Sequence, residues 1–282
     1  MRAILVLVVA AIAVIATASA PSAPAPIPTT DRFDERRAYA WLRRQVALGP
    51  RPAGSPASKR LAAQLRAALP RGTFQPVPGG LRNVVGVVRG RQPGRTVVVG
   101  AHYDTKELPG FVGANDGASG TAIVMELARV IRSEAVRPTI VFILFDGEES
   151  PHGVPDEQFA RYGLRGSRVA ARVYRHAEAM ILLDLVGDRS LRIPRENNSN
   201  RMLWTRLRSA ARSAGVATVF PDATFSPVID DHVPFINAGV PAIDLIDFDF
   251  PCFHRPCDNL SAVSQRSLDA VGEAVLAMLR AL

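Results

Sequence analysis

Three observations predict an α/β fold: one domain, a three-layer α/β/α sandwich with a mostly parallel central sheet. Apolar runs of strand length alternate with segments of helical period. The runs 139–145 (TIVFILF) and 179–185 (AMILLDL) are almost continuously apolar, as in strands covered on both faces. Ionisable residues follow these runs directly, and that is where open parallel sheets bind their ligands.

Each element has its own signal. Residues 31–48 have a helical pattern, with Phe33, Trp41, Leu42 and Val46 as apolar points, Asp31 as cap and Gly49-Pro50 as stop. A second helix is expected over 56–69, after a Gly-Ser-Pro turn. Residues 81–88 (LRNVVGVV) and 95–100 (RTVVVG) are β-branched runs bounded by Gly and Pro, hence strands. Helices are predicted over 118–131, 159–172, 200–214 and 261–281, and strands over 139–145, 179–185 and 240–246. Trp41 and Trp204 fall at helical spacing with other apolar residues and are assigned to the core.

Composition narrows the class. The 282 residues are 48% hydrophobic and 21% charged, which excludes wholesale disorder. The net charge of +8 raises nucleic acid as a partner. The basic residues are nearly all Arg and scattered, and the clusters Arg36-Arg37 and Arg43-Arg44 fall within one amphipathic helix. A solvated helix face explains them better than a phosphate-binding stripe, so no nucleic-acid partner is expected.

The N-terminus implies export. Arg2 precedes an apolar run over 3–15 and then small residues, the pattern of a secretory signal peptide. Ala16-Thr17-Ala18 places cleavage after residue 18. The run is shorter than the ~20 residues a bilayer span needs, so no stable span remains after cleavage. Residues 19–30 read as a Pro-rich extended linker and 31–282 as the folded domain, secreted or extracytoplasmic. Cys252 and Cys257 read as one disulfide in an oxidising compartment. The rival reading is a Cys-x-Phe-His-x-x-Cys zinc site, which has too few ligands for a closed structural centre. Nothing in the sequence sets an oligomeric state.

The chemistry-bearing residues are His102 and Asp104 after the second strand, and Asp116 before the next helix. Asp146, Glu148 and Glu149 follow 139–145, Asp184 ends 179–185, and His254 follows 240–246. Two imidazoles and three carboxylates suit zinc, with one carboxylate shared between two ions. Without metal, so many carboxylates in one cleft would repel one another. A Glu adjacent to a ligand Glu is then free to move protons. His152 and His176 fit surface or local structural roles.

Five segments carry a resemblance: GAHYDT (100–105), GANDGASG (113–120), FDGEES (145–150), LLDLVGD (182–188) and DDHVPF (230–235). In this order and spacing they resemble the zinc aminopeptidase and glutaminyl cyclase family, over the whole chain from about residue 31. The resemblance implies a zinc exopeptidase-like fold. Asp116, Glu149 and His254 would hold one zinc, with His102 and Asp184 completing a second site that shares Asp116. Glu148 would be general base and acid, Asp104 would orient the His102 ring, and His232 would stand behind the ligands. Asp230 and Asp231 divide between helix capping and substrate contact.

The stretch from His102 through Lys106 to Ala114, Tyr162-Gly163 with Gly166-Ser167-Arg168, and the segment IDDHVPF followed by AGVPAIDLI lean toward the cyclase branch. That branch implies peptide N-termini as substrates, cyclisation of N-terminal Gln with release of ammonia, and one tight zinc. Glu148, Asp184 and Asp230 would carry the catalysis. The aminopeptidase alternative implies hydrolysis of the first peptide bond at two filled sites. A non-catalytic ectodomain is a remote third reading. Two Trp residues of the animal cyclases are replaced by Val154 and Phe253, and their disulfide partners by Ala101 and Thr121. Phe250 and Phe253 are expected to replace part of the aromatic wall.

Overall fold

The computed structural model describes residues 32–282. The segments read as signal peptide and linker lie outside the described residues, as does Asp31, the expected first cap. The helix that opens the domain, α1, spans Glu35–Val46, and its cap is Asp34, whose carboxylate accepts from the N–H groups of Arg36 and Arg37. Helix α2 is Pro56–Ala68, capped by Ser55. The strands β1 (Thr73–Val77), β2 (Leu81–Val88), β3 (Gln92–His102) and β4 (Pro138–Phe145) follow, with α3 (Ala118–Val130) between the last two.

The remaining elements are α4 (Phe159–Tyr162), α5 (Arg165–Val173), β5 (Ala179–Asp184), β6 (Arg195–Glu196), α6 (Arg201–Ser213), β7 (Thr224–Phe225), α7 (His232–Asn237), β8 (Ala242–Ile246) and α8 (Gln265–Ala281). Two differences from the sequence reading have clear causes. The helix expected over 159–172 breaks at Gly163 and at Leu164, whose φ is +57°. Strand β1 carries no clear sequence signal, because its alternation is poor and Pro76 interrupts it. An edge strand tolerates that proline, since its missing N–H removes no central ladder bond.

The main sheet has six strands in the order β1-β2-β4-β3-β5-β8. Strands β4, β3, β5 and β8 are mutually parallel, while β1 and β2 add an antiparallel edge. All residues of β4, β5 and β8 are buried, as strands between two helical layers must be. Helices α1, α2, α3, α6 and α8 share one apolar core with one sheet face, and α5 and α7 cover the other.

The chain goes from β3 to β4 through α3 on one face. It then crosses to β5, on the other side of β3, through α5 on the opposite face. This reversal opens a crevice at the carboxyl ends of the parallel strands. Helix α3 packs tightly there because Gly120 has no Cβ, which would otherwise lie 2.0 Å from the Leu183 carbonyl oxygen. Trp204 is core, edge-on to Phe220, whereas Trp41 is half-buried beneath the Arg44 guanidinium. No helix among the described residues is long and apolar enough to cross a membrane.

Candidate active site

Parallel neighbours end at one edge, so residues distant in sequence meet there. His102 is the last residue of β3, Asp184 the last of β5, Glu148 and Glu149 follow β4, and His254 follows β8. Asp116 lies just before α3. His102 Nε2 is 3.2 Å from Asp116 Oδ1 and 3.2 Å from Asp184 Oδ1. His254 Nε2 is 3.4 Å from Asp116 Oδ2 and 3.3 Å from Glu149 Oε1. The donors therefore form two triads, His102–Asp116–Asp184 and Asp116–Glu149–His254, joined at Asp116.

This set fits zinc. Ligands about 2.0–2.1 Å from a tetrahedral ion lie roughly 3.3 Å apart. Asp116 Oδ2 is buried without a hydrogen-bond partner, as a group reserved for an ion would be. The ion-free electrostatics agree. Burial works against the charge on Asp116, yet His102 and His254 hold its carboxyl well below the ordinary range. Burial would lower the His254 imidazole, but Asp116 and Glu149 push it up to about 9. Glu148 stands outside both triads, its Oε2 3.9 Å from His102 Nδ1. Burial raises its carboxyl well above the usual value, and the charges of Glu149, Asp230 and Asp231 add to that against the opposing pull of His102.

The loops are held by groups far away in sequence. The Asp104 carboxylate accepts from the N–H groups of Glu148 and Glu149, at 3.2 and 3.3 Å, and so aims the glutamate pair. What meets the His102 Nδ1 is chiefly the Asp104 backbone carbonyl, at 3.2 Å; the carboxylate stands at 3.8 Å. Asp258 accepts from the N–H groups of Asn115 and Asp116 and fixes the shared aspartate. Gly117 has a φ of +83°, and a Cβ there would lie 3.1 Å from the His102 ring. Arg51, fully buried, donates to the carbonyls of Gln45, Gly49, Val112 and Gly113, which locks the loop leading to Asp116. No motif pointed to Arg51 or Asp258; only the fold puts them beside the site.

Cys252 and Cys257 form a disulfide with Cα atoms 5.4 Å apart. It closes the loop that presents His254, a non-glycine residue at φ +53°. Phe253 stacks on the His254 ring at 3.8 Å between centroids, and Phe111 meets it edge-on at 5.9 Å.

A cavity of about 370 Å³ opens beside the donors, lined by Glu148, Asp184 and Asp230 together with Pro227, Val228, Ile229, Phe159, Phe248 and Phe253. Phe250 does not line it: it is buried against Leu185 and Ile246, and Phe248 supplies the wall instead. Lys106 stands at the rim, 2.7 Å from Asp156 and 3.8 Å from Glu149. Asp146 accepts from the Arg82 N–H and ties β4 to β2. His232 is buried against Glu196 and Asp244 and makes no ion pair with either triad. His152 and His176 lie at the surface.

A carboxylate shared by two donor triads, two imidazoles and a neighbouring glutamate, set at the strand ends of an α/β sandwich, are the layout of a metal exopeptidase fold. The profile of Peptidase family M28 matches residues 83–279, and the chain belongs to that family. It is 30% identical over 209 residues to the glutaminyl-peptide cyclotransferase of Drosophila melanogaster, covering 62% of this chain and 58% of that protein. It is also 30% identical over 197 residues to aminopeptidase YwaD of Bacillus subtilis strain 168, covering 64% of this chain and 40% of that one. The matches thus span 58% and 40% of those relatives' lengths. The crystal structure of Tannerella forsythia glutaminyl cyclase superposes with a TM-score of 0.78 at 29% identity, over 88% of this chain and 99% of that one.

Proposed function

We propose that the chain is an exported zinc enzyme acting on peptide N-termini, and that it cyclises N-terminal Gln to pyroglutamate with release of ammonia. The observation that carries this reading is the pocket: apolar walls, a floor of donor residues, and the carboxylates of Asp184 and Asp230 inside. It has room for one terminal side chain and places acids where a free α-amine would sit.

Zinc, held by Asp116, Glu149 and His254, would supply a Lewis acid that polarises the γ-carbonyl of the substrate glutamine. The apolar wall folds the side chain back so that the α-nitrogen faces the γ-carbon. Such positioning is worth up to ~7–11 kcal/mol in well-oriented intramolecular reactions. The α-nitrogen attacks, the γ-carbon to amide-nitrogen bond breaks, and ammonia leaves. Glu148 takes a proton from the attacking amine and returns it to the leaving nitrogen; its raised carboxyl suits both halves of that transfer. Asp184 and Asp230 hold the amine, and the apolar wall excludes the water that would compete with it.

A second reading rests on a specific observation. The His102–Asp116–Asp184 triad is as compact as its neighbour, a geometry suited to two ions and to hydrolysis of the first peptide bond. One experiment separates them. The zinc-loaded protein is incubated with Gln-Phe-Ala and Leu-Phe-Ala, and ammonia and free amino acid are followed. Ammonia from the Gln peptide alone is expected. Free Leu with no ammonia would establish the aminopeptidase, and neither product would overturn both. A chelator should abolish turnover and zinc should restore it.

A further inference from the structure

Behind the pocket wall lies a second buried group of ionisable side chains outside both triads. Glu196, His232 and Asp244 are each fully buried. Glu196 ends β6, which pairs with β7 in a two-stranded ribbon, and the pocket wall Pro227–Asp230 follows β7 directly. The Glu196 carboxylate is saturated. Oε1 accepts from the N–H groups of Asn198 at 2.7 Å and Val228 at 2.9 Å, and Oε2 accepts from Ser199 at 2.8 Å. Oε2 also lies 3.4 Å from His232 Nε2, while His232 Nδ1 lies 3.6 Å from Asp244 Oδ2. Asp230, His232 and Asp244 bring donor atoms within 4.8 Å of one another. The imidazole is thus wedged between two carboxylates, directly behind the pocket's Asp230.

We infer that Glu196 is a positioning residue for recognition of the substrate's free α-amine. It anchors the wall at Val228, two residues before Asp230, and so sets where the Asp230 carboxylate enters the pocket. The inference rests on the N-terminal reading above. Burial would by itself raise the Glu196 carboxyl, but His232 and the backbone N–H groups of Asn198 and Val228 hold it below its ordinary value, which favours a permanent anion. The rival use of Asp230, His232 and Asp244, as a site for a further metal ion, does not call on Glu196, whose oxygens already accept from three backbone N–H groups.

The test uses zinc-loaded Glu148→Gln protein, which should bind peptide without turning it over. The tighter of Gln-Phe-Ala and Leu-Phe-Ala is compared by calorimetry with its des-amino counterpart, in the presence of Glu196 and of Glu196→Gln. With Glu196 the amine-bearing peptide should bind about tenfold tighter or better, the scale of a charge-assisted hydrogen bond. Glu196→Gln should remove most of that preference by weakening the amine-bearing peptide alone. Asn198 is exposed and clasps the Val228 carbonyl from outside, so Asn198→Ala should fold normally and move the preference the same way by a smaller factor.

An unchanged preference in Glu196→Gln, or equal weakening of both peptides, overturns the inference and leaves the N-terminal reading standing. Loss of one metal equivalent in Glu196→Gln also overturns it, in favour of a metal site. If neither Gln-Phe-Ala nor Leu-Phe-Ala binds while Glu196 is intact, the N-terminal reading is overturned, and this inference with it.

Discussion

The two triads that share Asp116 are chemically alike and mechanically different. His102 and Asp184 are the terminal residues of β3 and β5, and the His102 side chain is 2% exposed. His254 sits on a loop, its side chain is 21% exposed, and a disulfide and two aromatic rings hold it in a left-handed backbone conformation. The sheet makes one half of the site rigid at no further cost, while the other half needs local clamps. Both halves reach the pocket, the clamped one through Phe253 and His254 and the strand-end one through Asp184.

The largest expected effect tests the loop half directly. Glu149→Gln should lose tightly bound zinc and fall to background turnover. Glu148→Gln should keep the zinc and lose ~10²–10⁴ in rate, the range for a positioned acid–base group. Metal analysis beside steady-state rates checks both, and the opposite pattern would exchange the two roles. Next comes stoichiometry. Wild type should hold one tight zinc, and Asp184→Asn should still hold it. Two tight ions in wild type, with one lost in Asp184→Asn, would make the strand-end half an equal partner and favour hydrolysis.

The pH dependence is smaller and has a definite sign. In the ion-free site His254 is pushed up to about 9, so below that pH the ring must shed a proton before it can ligate. Apparent zinc affinity should therefore rise with pH, by about tenfold per unit for each proton displaced, and fall as the solution is acidified. Competition with a chromophoric chelator between about pH 5.5 and 7.5 reads the slope; a flat profile would contradict the raised imidazole.

The smallest effect concerns the clamp. Reduction of Cys252–Cys257 by a non-chelating phosphine should cost about 2 kcal/mol or less, because the closed loop is short. It should nevertheless speed zinc release several-fold by freeing His254. Thermal unfolding and zinc dissociation should then respond unequally. A large drop in Tm with unchanged release would place the role of the disulfide in the fold as a whole.

Much of this was legible in the residues themselves. Continuous apolar runs of strand length between Gly and Pro signals read as strands covered on both faces, and ionisable residues after them as one edge of a parallel sheet. That physics located His102, Asp116, Glu148, Glu149, Asp184 and His254, and it made the layered fold predictable. It failed where pattern and structure part company. Strand β1 is short and carries a proline, and a left-handed Leu164 cuts one expected helix into two.

The sequence by itself indicated the long strands and helices, the parallel core and the ionisable residues that gather at the strand ends, because burial periodicity and strand-end chemistry are local properties. The tertiary structure alone decided what holds those donors. Asp258 reaches Asp116 across 142 positions, Arg51 reaches Gly113 across 62, and Glu196 reaches Val228 across 32. It also chose Phe248 over Phe250 for the pocket wall and gave the Asp104 carboxylate to the backbone of the glutamate pair. Such contacts satisfy buried N–H groups and charges, and which group is left needing a partner is set only when the chain has packed.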